Sequence, residues 1–365
     1  LASGVVGLAA GGLMAALFSS TVLGAEVTYD RLLNAENEPQ NWLHVHSNYS
    51  STRFSKLSQI NANTVGNLRL AFSVALGGTQ KSWIGGGTLQ GTPLVNDGDL
   101  YVANGWGETY KIDVRSGRRG TIRWIMDPGV DPTEADLPNN RGIALWGNNV
   151  FTGTLDGRLI ATDADSGEVA WEKQVATDTG EAFTGGGPLA LKDSILIGQS
   201  WGDNGTRGWL ASIDANNGDE NWRTQMIPDP GEPGHETWAD DHGAYKTGGA
   251  SLWATGSFDP ESNLTLWGTG NPVPMFDPEF RPGDNLYSDS TVAMDADTGD
   301  IAWYFQYTPG DYLDYDEVGS HLLYDVEING ESRKVLGHFG RNGFYYNLDR
   351  NSGAFLNGGQ YLVEL

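Results

Sequence analysis

The acidic run Asp311-Tyr-Leu-Asp-Tyr-Asp316 contains residue types that could bind a hard cation or accept a proton. It places Asp314 and Asp316 two residues apart. Because alternate side chains of an extended segment point the same way, both carboxylates are expected to face one ion. An acidic run alone is more often a solvated loop. A functional role therefore depends on what the rest of the chain places beside it.

Composition excludes several kinds of site. The 365-residue chain has no cysteine, which rules out disulfides, thiolate metal sites, thiol nucleophiles and thioether-linked haem within this sequence. Its formal net charge of −25 argues against nucleic acid as a partner, because no basic surface is available to neutralise phosphates. A high content of glycine (51) and tryptophan (13), without long amphipathic helical patterns, indicates turns and aromatic-packed strands and hence an all-β fold.

The N-terminal segment is typical of a targeting sequence. Residues Gly4 to Val22 carry no charge, and Leu23-Gly24-Ala25 resembles a small-residue cleavage site. Residues 1–25 are therefore interpreted as a signal peptide with a truncated start, with a membrane anchor as the alternative. Both interpretations predict an exported protein, expected in the periplasm, whose folded body is residues 26–365.

A repeated motif predicts the architecture. An aspartate precedes a glycine by four residues in five copies, which begin at Asp113, Asp163, Asp214, Asp295 and Asp349. Each copy predicts a strand ending in Asp, a turn with Gly at positive φ, and a second strand whose Trp packs between repeats. Spacings of 50 to 54 residues, and one of 81 that contains an insertion near residues 228–270, are typical of four-stranded propeller blades.

The motif and several longer strings resemble the pyrroloquinoline quinone (PQQ) dependent alcohol dehydrogenases. The strings follow the family's order and are Asn140-Arg-Gly142, Thr154-Leu-Asp-Gly-Arg-Leu-Ile160, Gly268-Thr-Gly-Asn271, Arg281-Pro-Gly-Asp-Asn285, Thr308-Pro-Gly-Asp311 and Arg341-Asn-Gly343. The resemblance covers nearly everything from Trp42 to Leu356. It implies an all-β propeller of the eight-bladed quinoprotein type, present here as an incomplete arc of about five blades in a fragment of a longer enzyme.

The resemblance also implies roles for individual residues. The family's cofactor-binding positions correspond to Trp253, Arg341, Arg141, Ser251 and Gln90. Its metal-binding positions correspond to Asp203, Asn271, Asp314 and Asp316, and Asp314 also matches the catalytic base. These residue types suit a flat, polycarboxylated quinone, which needs an aromatic platform, fixed cations for its carboxylates and a hard Lewis acid at its carbonyl.

A lanthanide is the metal that the resemblance favours, with Ca²⁺ as the alternative. Calcium-type members usually carry a small or neutral residue two positions after the catalytic Asp, whereas lanthanide-type members resemble this chain in having a second Asp there. The carboxylates of Asp203, Asp314 and Asp316 would balance a trivalent ion. Three positions depart from the family pattern: Asp203 stands where Glu is usual, Ala135-Asp136 stands where adjacent cysteines are common, and Gln90 stands where a Glu often contacts the cofactor.

The function implied is oxidation of a primary alcohol, methanol or similar, to the aldehyde by hydride transfer to PQQ. Electrons would pass to a cytochrome c, and the chain could form a homodimer. Pocket residues from further blades would be absent from this chain, which could leave it inactive alone. Two alternatives remain open: a non-catalytic exported propeller scaffold, and a quinoprotein that acts on sugars or polymeric alcohols.

Overall fold

The computed structural model describes residues 24–362, apart from residues 83, 84, 134, 136, 178–181, 184, 185 and 329. Nearly all of the interpreted signal peptide, and Asp136, lie outside the described residues. Helical segments are short: an α-helix at Tyr29–Leu33 and 3₁₀ turns at Ala35–Asn37, Val65–Asn67, Gly202–Asn204, His235–Thr237 and Ala244–Thr247. Over the residues described, no helix combines the length and the apolar character that crossing a bilayer requires.

Within the described residues, five four-stranded antiparallel sheets follow one another, and a short parallel pair lies beside them. The pair joins β1 (Thr88–Leu89) to β6 (Asn139–Asn140). The first blade contains β2 (Leu94–Asn96), β3 (Asp99–Ala103), β4 (Thr109–Asp113) and β5 (Thr121–Met126). The second contains β7 (Ala144–Trp146), β8 (Asn149–Gly153), β9 (Arg158–Asp163) and β10 (Val169–Gln174).

The remaining three blades have the same strand order. The third contains β11 (Leu189–Leu191), β12 (Ser194–Gly198), β13 (Trp209–Asp214) and β14 (Glu220–Gln225). The fourth contains β15 (Ser257–Asp259), β16 (Leu264–Gly268), β17 (Ser290–Asp295) and β18 (Ile301–Gln306). The fifth contains β19 (Leu322–Ile328), β20 (Glu331–Phe339), β21 (Phe344–Asp349) and β22 (Phe355–Gln360). The prediction of an all-β arc of about five blades is confirmed.

The repeated Asp, Gly and Trp lock each blade to the next, as the contact between the third and fourth blades shows. Trp222 Nε1 donates to the carbonyl oxygen of Ala296 at 3.3 Å. Gly299, at φ +78°, lies against the same indole, and a Cβ there would be 2.5 Å from the Trp222 ring. Asp295 closes the turn by accepting backbone N–H groups through its side chain and main chain. The repeated residues are therefore structural, as the motif predicted.

An N-terminal segment joins the later blades at their first strands. The Tyr49 hydroxyl donates to the carbonyl oxygen of Ala190 in β11 at 2.8 Å. The carbonyl oxygens of Tyr49 and Ser50 accept the N–H groups of Phe258 in β15 and Leu323 in β19. These bonds hold the first strands of three blades around one short segment and so fix the positions of the loops that enter those strands.

Alternating strand direction sorts the loops between the two ends of the arc. In a four-stranded antiparallel blade, the loop after the second strand and the connection after the fourth strand open at the same end. The Asp-Gly turns lie between third and fourth strands, at the opposite end. Packing residues and candidate site residues are thus separated by the topology.

Candidate functional site

All of the predicted site residues lie in loops at one end of the blades. Loops between second and third strands carry Asp203, Asn271 and Arg341. Connections that lead into a first strand carry Gln90, Arg141, Ser251, Trp253, Asp314 and Asp316. Residues from five blades can therefore approach one another although they are far apart in sequence.

A cleft of about 160 Å³ brings most of these residues together. Its walls include six predicted residues, Arg141, Asp203, Ser251, Trp253, Asn271 and Asp316. A neighbouring cavity of about 290 Å³ shares Arg141, Trp253 and Asp316 and adds Gln90 and Arg341. Among the wall residues that the structure describes, Asp314 lines neither space.

Asp316 is the most connected carboxylate of the cleft. Its Oδ1 accepts hydrogen bonds from Trp253 Nε1 at 3.0 Å and from the Asn271 N–H at 3.2 Å. Its Oδ2 accepts a hydrogen bond from Arg341 Nη1 at 3.2 Å. Burial raises the pKa of Asp316 to about 6, although the Trp253 hydrogen bond opposes this shift. Three loops thus converge on a single carboxyl group.

Close approach of these loops depends on Gly270. A Cβ at this position would lie 2.5 Å from Asp316 Oδ1, so any larger side chain would push the carboxylate away from Asn271. Glycine is required here by space rather than by its φ angle. The glycine in Gly268-Thr-Gly-Asn271 therefore serves the site directly.

Asn271 connects Asp316 to Asp203 across the cleft. The Asn271 side chain is buried, and its Nδ2 donates to Asp203 Oδ1 at 3.2 Å. Nearby protein atoms partly desolvate the Asp203 carboxyl and raise its pKa, whereas the Asn271 hydrogen bond lowers it. The Asp203 side chain is still exposed to solvent, which screens this shift. Carboxylate and amide oxygens of these three residues are the ligand types that hard cations prefer.

The expectation that Asp314 and Asp316 share an extended segment is wrong. Both residues have a left-handed backbone conformation, with φ angles of 62° and 54°. Asp311 stabilises this loop by accepting the N–H of Leu313 through Oδ1 and the N–H of Tyr315 through Oδ2, each at 2.9 Å. The two side chains therefore do not point the same way as they would in a strand. Of these two aspartates, Asp316 is the one that is buried in the cleft.

Asp314 is half-buried at the edge of the site. Burial raises the pKa of its carboxyl, the charge of Asp203 acts in the same direction, and the Arg341 guanidinium opposes both. Asp314 is therefore within electrostatic reach of two other predicted site residues. Over the described part of the chain, no three histidine, aspartate or glutamate side chains are grouped closely enough to hold a metal. The metal set of Asp203, Asn271, Asp314 and Asp316 stays a prediction.

Trp253 and Arg141 form a stacked pair in the cleft. The guanidinium carbon of Arg141 lies 4.6 Å from the centre of the half-buried Trp253 ring. Ser251 is buried in the same wall. Trp201 Nε1 is also buried in this wall and has no hydrogen-bond partner among the described residues. This wall therefore offers the aromatic plane of Trp253, the cation of Arg141 and the N–H donor of Trp201. These groups fit a planar ligand that carries carboxylates or carbonyls.

Gln90 and Arg341 lie on the side of Trp253 that faces the neighbouring cavity. Gln90 is exposed, and its Nε2 donates to Thr88 Oγ1 at 2.9 Å. The Arg341 side chain is about half exposed (52%) and pairs with Asp316. Both side chains can reach a ligand held at Trp253, and their cofactor roles stay predictions.

Two functional candidates were missed by the sequence analysis. Glu317 and His338 are fully buried behind Asp316 and Arg341, and they contact each other. Their positions in the sequence could have indicated them, because Glu317 directly follows Asp316 and His338 precedes Arg341 by three residues. Nothing in the sequence indicated that they pair.

The architecture and cleft agree with a match to a known family. A family model described as "Glucose/ethanol/alcohol dehydrogenase, beta-propeller domain" of the PQQ enzymes matches residues 42–358. The chain belongs to the PQQ-dependent alcohol dehydrogenases. The resemblance to this family that the repeated motif and the ordered strings indicated is confirmed.

Several relatives show how far the similarity extends. Quinohemoprotein alcohol dehydrogenase ADH-IIG of Pseudomonas putida is 36% identical over 91% of this chain and 47% of its own length. Its solved structure superposes with a TM-score of 0.84 at 35% identity, covering 93% of this chain and 51% of the other. The dehydrogenase subunit of the quinone-type alcohol dehydrogenase of Komagataeibacter europaeus is 35% identical over 97% of this chain and 51% of its own length.

A europium-containing methanol dehydrogenase is also similar in structure. It superposes with a TM-score of 0.82 at 34% identity, covering 92% of this chain and 60% of the other. The chain therefore spans about half the length of the curated relatives that it matches.

Proposed function

We propose that this protein oxidises a primary alcohol, methanol or similar, to the aldehyde as a PQQ-dependent dehydrogenase. The observation that carries the proposal is the convergence of Trp253, Asn271 and Asp316 in one cleft, with Arg141 stacked on the Trp253 ring. Residues needed only for blade packing have no reason to meet at this end of the arc. The alcohol dehydrogenases among the relatives support the same chemistry.

PQQ, when bound, supplies a quinone that accepts hydride, and a metal ion supplies Lewis acidity at its carbonyl. Trp253 provides the platform for the ring, while Arg141 and Arg341 provide cations for its oxygen atoms. Asp314 takes the hydroxyl proton of the alcohol, a role that the raised pKa of its carboxyl favours. Asp203, Asn271, Asp314 and Asp316 are the residues that would hold the metal.

A lanthanide is the metal that we propose, with Ca²⁺ as the alternative. Three carboxylates at Asp203, Asp314 and Asp316 would balance a trivalent ion, so that little net charge is left in a partly buried site. The similarity to a europium-containing methanol dehydrogenase supports this choice.

The cellular setting proposed is the periplasm, after removal of residues 1–25. A cytochrome c is the proposed electron acceptor, and the quinohemoprotein and dehydrogenase-subunit names of the relatives support a haem-containing partner or domain. Assembly as a homodimer stays a prediction.

Apolar side chains are exposed at both ends of the arc: Leu68 and Leu70 before the first blade, and Phe344 and Phe355 on the fifth. Their exposure supports coverage of these surfaces by further blades.

Reconstitution tests the function directly. The full-length protein is freed of metal, supplied with PQQ and either La³⁺ or Ca²⁺, and assayed for alcohol-dependent dye reduction. We expect activity with PQQ and a larger response to La³⁺ than to Ca²⁺. Asp314→Asn should abolish turnover while PQQ still binds, and Asp241→Asn, at an exposed position, is the matched control. Absence of both PQQ binding and metal binding would instead support the non-catalytic scaffold.

A further inference from the structure

A buried glutamate and histidine form a pair directly behind the cleft. Glu317 has no exposed surface and His338 is 1% exposed. Glu317 Oε2 lies 2.8 Å from His338 Nε2. Glu317 follows Asp316 in the connection into the fifth blade, whereas His338 lies near the end of β20. The pair therefore joins two elements of the site that are 21 residues apart.

The same carboxyl oxygen also holds Arg341. Glu317 Oε2 accepts the Arg341 backbone N–H at 3.0 Å. At its other end, Arg341 donates from Nη1 to Asp316 Oδ2 at 3.2 Å. Two consecutive residues, Asp316 and Glu317, thus bind the side chain and the main chain of one arginine.

Packing around the pair leaves little freedom to either member. The Glu317 N–H donates to the carbonyl oxygen of Thr269 at 3.1 Å. A Cβ at Gly268 would lie 2.2 Å from the Glu317 carbonyl oxygen, so this close approach requires glycine. The His338 ring stacks on His321, with ring centres 4.6 Å apart and planes inclined by 16°. The shared oxygen is consequently a fixed anchor point.

We propose that Glu317 and His338 are positioning residues that hold Arg341 against Asp316. The Arg341 side chain is about half exposed, and a long exposed cation loses conformational entropy when it is held in one place. Anchoring its backbone beside the carboxylate that binds its guanidinium reduces this cost in advance. The inference rests on the proposed function only in that Arg341 contacts bound PQQ.

Conservative replacement distinguishes positioning from simple filling of space. The side-chain carbonyl oxygen of Gln has two lone pairs, so Glu317→Gln can still accept from both His338 and Arg341. Glu317→Ala can accept from neither. His338→Phe keeps a ring for stacking but removes the nitrogen that faces the shared oxygen.

The first measurement needs no ligand and uses the full chain labelled with ¹⁵N-arginine. Amide hydrogen exchange of Arg341 is expected to rise about tenfold in Glu317→Ala, to rise less in His338→Phe, and to stay near wild type in Glu317→Gln. The Arg158 amide, which donates to Thr154 Oγ1 at 3.0 Å, is the internal reference. Unchanged exchange at Arg341 in Glu317→Ala would overturn the proposal.

A matched variant separates this effect from loss of stability. Asp259 is another buried carboxylate, and its Oδ2 lies 3.0 Å from Arg350 Nε. Asp259→Ala should lower the unfolding midpoint but leave Arg341 exchange unchanged. An equal rise of Arg341 exchange in this variant would show that general destabilisation, rather than positioning, is the cause.

The second measurement is a double-mutant cycle on PQQ affinity, followed by quenching of tryptophan fluorescence. Glu317→Ala should weaken binding about tenfold in the wild-type background and leave it unchanged in an Arg341→Ala background. Equal losses in both backgrounds would contradict action through Arg341. If wild type binds no PQQ, the proposed function fails, whereas the exchange experiment still decides the role of Glu317.

Discussion

Replacing Asp316 by Asn is expected to stabilise the metal-free, cofactor-free protein at neutral pH. Asp316 is 9% exposed, and burial raises the pKa of its carboxyl from the usual 3.8 to about 6. The ionised form is therefore disfavoured in the folded protein relative to the unfolded chain. Asn retains an oxygen that can accept from Trp253 and Asn271 but carries no charge.

The size of the effect follows from this shift. A change from 3.8 to about 6 is about two pKa units, and each unit corresponds to about 1.4 kcal/mol, so ionised Asp316 costs about 3 kcal/mol. This cost already includes the attraction of the Arg341 guanidinium, which lowers the pKa of Asp316. We therefore expect Asp316→Asn to raise the free energy of unfolding by about 3 kcal/mol at neutral pH.

The sign of the pH dependence is also fixed. Between about pH 4 and about pH 6, the unfolded chain has released the Asp316 proton while the folded protein retains it. Stability of the wild type consequently falls as pH rises through this interval, and the loss is complete above about pH 6. In Asp316→Asn this contribution disappears, so the two proteins should be about equally stable near pH 4 and differ most at neutral pH.

Urea unfolding, followed by tryptophan fluorescence with EDTA present, measures the difference at several pH values. Asp241→Asn, at an exposed site, controls for removal of a charge from an acidic protein. Equal stability of wild type and Asp316→Asn at neutral pH, or an equal gain in Asp241→Asn, would refute the reasoning. Addition of La³⁺ should then stabilise wild type more than Asp316→Asn, because the variant lacks a proposed ligand.

Three further predictions concern the elements that build the cleft and the arc. Gly299→Ala should lower the free energy of unfolding by about 2 to 5 kcal/mol in thermal unfolding, because its positive φ disfavours alanine and the Trp222 ring leaves no room for a Cβ. Gly117→Ala is the control: its φ is +61° but the space around it is open, so the substitution should incur only the cost of the positive φ. Asp311→Ala should remove two loop hydrogen bonds and weaken PQQ binding in fluorescence titrations, whereas unaltered affinity would show that the loop holds its shape without them. Trp253→Phe should raise the pKa of Asp316 further, because the indole donor that lowers this pKa is lost, so the fall of stability with pH should extend to higher pH.

Blade architecture could be predicted from the sequence because its determinants are local. Asp295, Gly299 and Trp303 lie within nine residues, and they encode a closed turn, a positive φ and a returning indole. Repetition of this unit at regular intervals predicts the number of blades without any knowledge of their contacts. The same topology then places the loops that carry Asn271 and Asp316 at one end of the arc.

Details of the cleft could not be predicted, because they depend on bonds between distant segments. Asp316 is buried by contacts with Trp253 and Asn271, which are 63 and 45 residues away, whereas Asp314 stays at the edge, although the two aspartates look equivalent in sequence. Contacts of Glu317 with His338 and Arg341 likewise span 21 and 24 residues.

The sequence by itself thus determined the repeat and the fold class. Tertiary structure alone decided which carboxylate is buried and which residues anchor it. The physical reason is range: turn conformation and strand alternation are set by neighbours a few residues apart. Burial, pKa shifts and hydrogen bonds to Asp316 arise from loops that meet only when the blades are assembled.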